Sequence, residues 1–281
     1  MTMEDGMNAI TYNIPASLIA DFGERKRIVR AHDPAEIVEN LADEDLEGIS
    51  FIKLLSLNGK LDSLMGWRNA IPIELVVSDT HRDLPLLYRY TPLLTDHPIR
   101  VLVPLVPGFG NVVKLAVSLN FAVKLEGGQP DESLLDEMQR IALFYLHQPL
   151  VAEPIDFFHS LFLAFYHRTS ITLWTIQEED SSLVRYITDE GEETMPGRFA
   201  GMKVNENFST FMLEIQQGPV GEKGKCAGCE FLMHCQGYFK WPRREYRCDG
   251  VKTLMHTLRS AAEELRTDIA SFHSPGEGGR T

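Results

Sequence analysis

All four cysteines of this 281-residue chain fall between residues 226 and 248. They are Cys226, Cys229, Cys235 and Cys248, spaced C-x2-C-x5-C-x12-C. Thiolates are soft ligands, and four of them make a closed tetrahedral zinc site or anchor an iron–sulfur cluster. The C-x2-C step brings two sulfurs to one centre from a tight turn that carries Gly228, and glycines 237 and 250 follow the third and fourth cysteines. Glycine supplies the positive φ that such a wrapped backbone demands. Two disulfides are the competing use, but they belong to oxidising compartments and nothing marks the chain as secreted. Zinc sites often pair two C-x2-C knuckles, and this chain has one. Residues 222–248 hold Lys223, Lys225, Lys240, Arg243, Arg244 and Arg247 against Glu222, Glu230 and Glu245. That basic island suits an anionic cubane. It suits an anionic four-thiolate zinc centre as well, so the residues alone leave both metals open.

A second set of chemistry-bearing residues is more scattered. Lys53, Lys124 and Glu126 are charges inside or next to apolar strands, and Asp79 follows another strand. They are candidate contacts at the rim of a β/α barrel, with paired structural charges as the bland alternative. No Ser/His/Asp set or paired-carboxylate motif singles them out. Gly108-x-Gly110 lacks the third glycine of a phosphate loop and reads as a tight turn. His147, His159 and His167 lack an i, i+4 metal pair, and His32 sits at a helix entrance, so all four read as structural.

The chain as a whole narrows the options. A net charge of −13 argues against broad nucleic-acid binding. Its 44% hydrophobic content is ordinary for a globular protein with a sizeable core. No apolar run is long enough to span a bilayer. The start, MTMEDGMNAITYNIP, has no basic n-region and no long apolar core, so no signal peptide is expected. The expected location is the cytoplasm, whose reducing conditions suit metal-bound thiolates.

These residues need a scaffold, and the pattern supplies one. Residues 10–14 form a short strand closed by Pro15. Asp33, Pro34 and Glu36 then open a helix as N-cap, N1 and N3. Residues 49–55, 71–77, 99–106 and 119–125 are short apolar runs, with helix-like segments at 84–94, 111–118 and 132–147. Strands alternating with helices predict a parallel sheet of βα units. Residues 154–167 are apolar on nearly every face and predict a buried helix. From residue 171 the pattern changes. Residues 171–176 and 183–187 alternate like antiparallel strands around a turn at 178–182, and 188–191 form another turn. A domain boundary is therefore expected near residue 170. A short helix at 206–216 leads to the cysteines. After them, Val251, Leu254, Met255, Leu258, Ala261, Ala262, Leu265 and Ile269 mark a long amphipathic helix. Residues 1–9 and 274–281 read as a loose start and a disordered tail.

The βα units, the hairpin LVRYITDEGEE, the segment NENFSTFMLEI, and CAGCEFLMHCQGYF followed by CDGVK resemble a radical-SAM protein with a C-terminal SPASM-type domain. The resemblance implies an α/β fold: a partial (β/α) barrel over 1–170, then a Cys-rich SPASM/twitch-like domain over 171–273. It implies that Cys226, Cys229, Cys235 and Cys248 hold one [4Fe-4S] cluster, the outer of the two that SPASM domains commonly carry. The inner one is not expected, because Met195-Pro196 and Phe239 stand where its cysteines belong. The C-x3-C-x2-C motif is missing too: the stretch after the first strand reads IPASLIADFGERKR. Reductive cleavage of S-adenosylmethionine (SAM) by this chain is therefore unlikely.

The expected function is an accessory, substrate-binding or electron-relay role in peptide or protein maturation, with a protein or peptide partner. An enzyme working at the barrel rim without SAM, and a zinc-stabilised interaction module, are the alternatives. Tyr238, Phe239, Trp241, Arg243 and Arg244 are a candidate surface for an acidic partner, with packing around the metal as the competing role.

Overall fold

A computed structural model of the chain describes residues 10–41, 46, 48–65, 70–149, 151–179, 183–195, 197–199, 208–221 and 224–273. Eight strands form one sheet: β1 (Thr11–Pro15), β2 (Lys26–Ala31), β3 (Ile49–Leu54), β4 (Ile73–Val76), β5 (Ile99–Pro104), β6 (Ala122–Glu126), β7 (Val184–Ile187) and β8 (Glu193–Thr194). Their order is β6-β5-β4-β3-β2-β1-β7-β8. All pairs are parallel except β7 with β8. From β1 to β6 the order never reverses. With right-handed crossovers, a chain stepping always the same way lays its helices on one face of the sheet. That is the winding of a β/α barrel, and it stays open: the order ends at β8 and at β6, whose outer edge takes one parallel bridge, Val123 to Ile155.

The two faces of the sheet differ in chemistry. Ile52, Ile73, Leu75, Val101, Val103, Val123 and Leu125 are almost fully buried, and Lys53, Glu74, Arg100, Lys124 and Glu126 stand next to them on the alternate face, where Leu102 is the apolar exception. Across the lumen face, Lys53 is in register with Glu74, Glu74 with Arg100, and Arg100 with Ala122. The strands that looked continuously apolar are thus greasy towards the helices and charged towards the lumen, as a period of two allows.

The α-helices are α1 (Ile19–Phe22), α2 (Pro34–Asn40), α3 (Phe109–Ser118), α4 (Glu132–His147), α5 (Asp156–His167), α6 (Leu173–Gln177), α7 (Phe208–Val220), α8 (Leu232–Cys235) and α9 (Asp249–His273). Residues Leu84–Thr95 are a 3-10 helix. At α2 the Asp33 side chain accepts from the Ala35 amide at 2.9 Å, and the Glu36 side chain accepts from the Asp33 amide at 3.2 Å. Asp33→Ala should cost about 1 kcal/mol, read as a lower urea midpoint at unchanged slope. Helix α9 packs along α5 and α4 and buries Val251, Leu254, Met255, Leu258 and Ala262.

Two local expectations are corrected. Residues 171–176 do not form a strand: Thr172 caps α6 through the Thr175 amide at 3.2 Å, and Leu173 and Trp174 are buried. The hairpin is β7–β8 instead, turning through residues 188–191, and β7 continues the sheet by pairing with β1. Strand β2 was not foreseen. The loose start, the tail, and parts of the 178–182 turn and the 206–216 helix lie outside the described residues.

Candidate functional site

The four cysteines are free thiols that line one small cavity. Cys226 and Cys229 sit on the turn after α7, Cys235 ends α8, and Cys248 precedes α9. Backbone bonds fix this path: the Cys226 amide donates to Pro219 O at 2.9 Å, and the Cys235 amide to Phe231 O at 2.8 Å. Gly237, with φ of 74°, makes the left-handed step that turns the chain back after α8. Phe231, Phe239, Val251 and Met255 supply apolar walls, and Lys240 and Lys252 supply positive charge. Burial pushes the Cys235 thiol up to about 12 and also raises Cys226 and Cys248. Loading a metal here therefore means displacing protons from the thiols.

The donor set fits a four-thiolate group. The placement does not: among the described residues, no group of three or more His, Cys, Asp or Glu side chains is set to hold a metal ion. The void between the thiols is only about 20 Å³, so a cluster must spread them outward. Gly228 has open space around it, which leaves the Cys226–Cys229 turn room to move.

This segment is bolted to the C-terminal end of the barrel strands. Gln129 Nε2 donates to Phe239 O at 2.9 Å and to Arg243 O at 2.8 Å, and Tyr246 OH donates to Pro130 O at 2.6 Å. Trp174 Nε1 donates to Gln236 O at 3.0 Å. Tyr238 OH lies 3.2 Å from Gly127 O and 3.1 Å from Glu178 Oε1. The Arg198 guanidinium stands 4.5 Å from the Tyr238 ring centre and 4.7 Å from that of Trp241. Tyr238 and Phe239 are buried, so they are packing residues and not a partner-docking surface. Tyr238→Phe should cost about 1–2 kcal/mol in chemical denaturation, because Glu178 and Gly127 lose a buried donor.

A second cavity, about 320 Å³, opens at the barrel mouth beside it. Lys53 from β3 and Lys124 and Glu126 from β6 line it together, so three of the four rim candidates converge. The fourth does not. Asp79 accepts from the amides of His81 and Arg82, both at 2.9 Å, and shapes a turn away from this cavity. Glu178, Glu179 and Arg198 complete the charged wall. Gln177 Nε2 and Glu179 Oε2 are buried on it without a protein partner. Burial raises the Glu178 carboxyl above the usual carboxylate range, against the opposing pull of Arg198.

Below the mouth, Glu74 holds two cations. Lys53 Nζ is 3.0 Å from its Oε1, and Arg100 reaches its Oε2 through Nε at 2.8 Å and Nη2 at 2.6 Å. Arg30 donates to Asn13 O at 2.6 Å, Asn13 Oδ1 at 2.9 Å and Ile187 O at 2.6 Å, tying β2 to β1 and β7. Sequence reasoning missed Glu74, Arg100 and Arg30. The usable signal was a charge at the same depth in successive apolar runs. The amides of Gly108 and Gly110 donate to Glu137 at 3.3 and 2.9 Å, so the start of α3 holds an internal carboxylate.

No protein-family model matches the chain, and no curated protein sequence matches it significantly. One solved structure, native anSMEcpe with bound AdoMet, is similar with a TM-score of 0.54. The likeness covers 90% of this chain and 88% of that one at 9% identity. At that identity it shows the fold alone: the open α/β barrel type anticipated from the sequence. Among the described residues, no helix is long and apolar enough to cross a membrane.

Proposed function

We propose that this chain is an iron–sulfur protein of the radical-SAM/SPASM type that lacks its own SAM-radical site. Its units would be a barrel over 1–170 and a cluster-binding unit over 171–273, whose β7 and β8 extend the barrel sheet. Cys226, Cys229, Cys235 and Cys248 would hold one [4Fe-4S] cluster. Such a cluster supplies one-electron chemistry when bound. Four protein thiolates leave it no open iron, and the chain has no further cysteine for a C-x3-C-x2-C site. The role that follows is accessory: binding a peptide or protein substrate, or relaying electrons to a partner enzyme, in peptide or protein maturation in the cytoplasm. The observation that carries this reading is the convergence of the chain's entire thiol complement on one cavity beside the barrel mouth.

Anaerobic purification tests it. The expected product is brown, with about four irons and four acid-labile sulfides per chain. Stoichiometric zinc without iron would replace this reading with a zinc-stabilised module. Reductive cleavage of SAM would overturn the accessory role. The convergence of Lys53, Lys124 and Glu126 favours a second reading, an enzyme acting at the mouth without SAM. Substrate turnover by the isolated chain that survives loss of the metal would favour it.

A further inference from the structure

The largest cavity among those described lies at the other end of the barrel, where β3 to β6 begin, and has a volume of about 660 Å³. It is separate from both cavities above, although Glu74 and Arg100 below the mouth also line it. In a closed β/α barrel, layers of side chains fill the lumen. Here the charged row Lys53, Glu74, Arg100 ends at Ala122, a methyl group, and the layer is left incomplete. The walls are largely apolar, with Phe51, Pro72, Ile73, Leu94 and Ile99 among them. An apolar cavity of drug-like size with a few convergent polar groups is the usual form of a small-molecule site.

Its polar groups point to one chemistry. His97 is 1% exposed, and its Nδ1 lies 2.8 Å from Ile71 O. A carbonyl can only accept, so Nδ1 carries a proton, and Nε2 is the ring's remaining polar atom. That Nε2 is buried without a partner, and so is Ser50 Oγ on the same wall. Of the carboxylates on the lining, Glu74 is balanced by Lys53 and Arg100, whereas Asp96 and Glu153 make no ion pair among the described residues. The site is thus apolar in body and negative in balance.

We infer that this cavity is a second ligand site, for a small molecule with an apolar body and a protonated amine. The apolar part fills the space above Ala122, and the ammonium supplies donors and positive charge to the carboxylate side. The inference stands apart from the cluster reading, and metal-free protein serves equally well for its test.

Phenethylamine and its matched acid, 3-phenylpropionate, are the probes, titrated into the whole protein by calorimetry and by ligand-observed NMR. The amine should bind saturably and the acid should not. Ala122→Phe, which fills the cavity, should weaken the amine by about tenfold or more with unchanged circular dichroism. Where Ala122→Phe does not fold, the paired change Asp96→Asn with Glu153→Gln should weaken the amine and narrow its advantage over the acid. Equal binding of the acid, indifference of the amine to these changes, or no saturable binding of either probe would overturn the proposal.

Discussion

Cys248→Ala, prepared without oxygen, is expected to lose most of its iron and its visible absorption while the far-ultraviolet spectrum of the barrel persists. Cys248 is the proposed ligand farthest along the chain from the other three, and it joins the cysteine loop to α9. The remaining three thiols can hold at most a depleted, labile cluster. Because metal binding is also folding energy for the residues it gathers, the wild type should melt higher loaded than stripped. Cys248→Ala should melt at one temperature whether or not iron and sulfide are supplied. Retention of full iron by this variant would remove Cys248 from the ligand set.

The second large effect is expected at Glu74. Its side chain is 3% exposed and is held between Lys53 and Arg100. Removing one partner of a buried ion set leaves the others uncompensated, typically at about 3–5 kcal/mol. Arg100 is 36% exposed and can be partly rehydrated, so Glu74→Ala should fall near 3 kcal/mol, at the low end of that range. Adding Lys53→Met should recover part of the loss, the signature of a coupled pair in a double-mutant cycle. Burial alone would raise the Glu74 carboxyl, but the charges of Lys53 and Arg100 outweigh it and hold it below the usual range. A carboxyl with a depressed folded value stabilises the fold above its ordinary pKa, and the contribution drains away as pH falls through the folded value. Wild type should therefore lose stability steeply below about pH 4. Glu74→Gln should start lower and show a flatter acid limb in urea unfolding across that window.

What was legible in the sequence follows from which forces act locally. The capping box at Asp33 and Glu36 was readable because its partners are three residues apart. The apolar runs at β3 to β6 were readable because one face of each strand must be buried. The helix at Glu132–His147 keeps the bounds its periodicity implied. Strand β2 was hidden because Lys26, Arg27 and Arg30 disguise its alternation, and Arg30 is satisfied only by residues far along the chain. Residues 171–176 misled because β-branched residues mimic a strand, while burial of Leu173 and Trp174 decides for helix. The cysteine set was legible from spacing, but its seat beside the barrel mouth rests on long-range bonds from Gln129, Pro130 and Trp174.

The strand order also bears on how the molecule is assembled. From β1 to β6, each strand pairs with the next in sequence, so every closure is over a modest loop. Strand β7 alone reaches back across the whole barrel, matching Val184 with Thr11. Closing that loop costs the most chain entropy, and pairings of such separation form slowly. The barrel strands should gain hydrogen-exchange protection first during refolding, and the β7–β8 hairpin last. The thiols follow that hairpin in the chain and dock on the rim loops that the finished barrel provides. The metal proposed for them would be a late seal on a completed scaffold and not a nucleus for it.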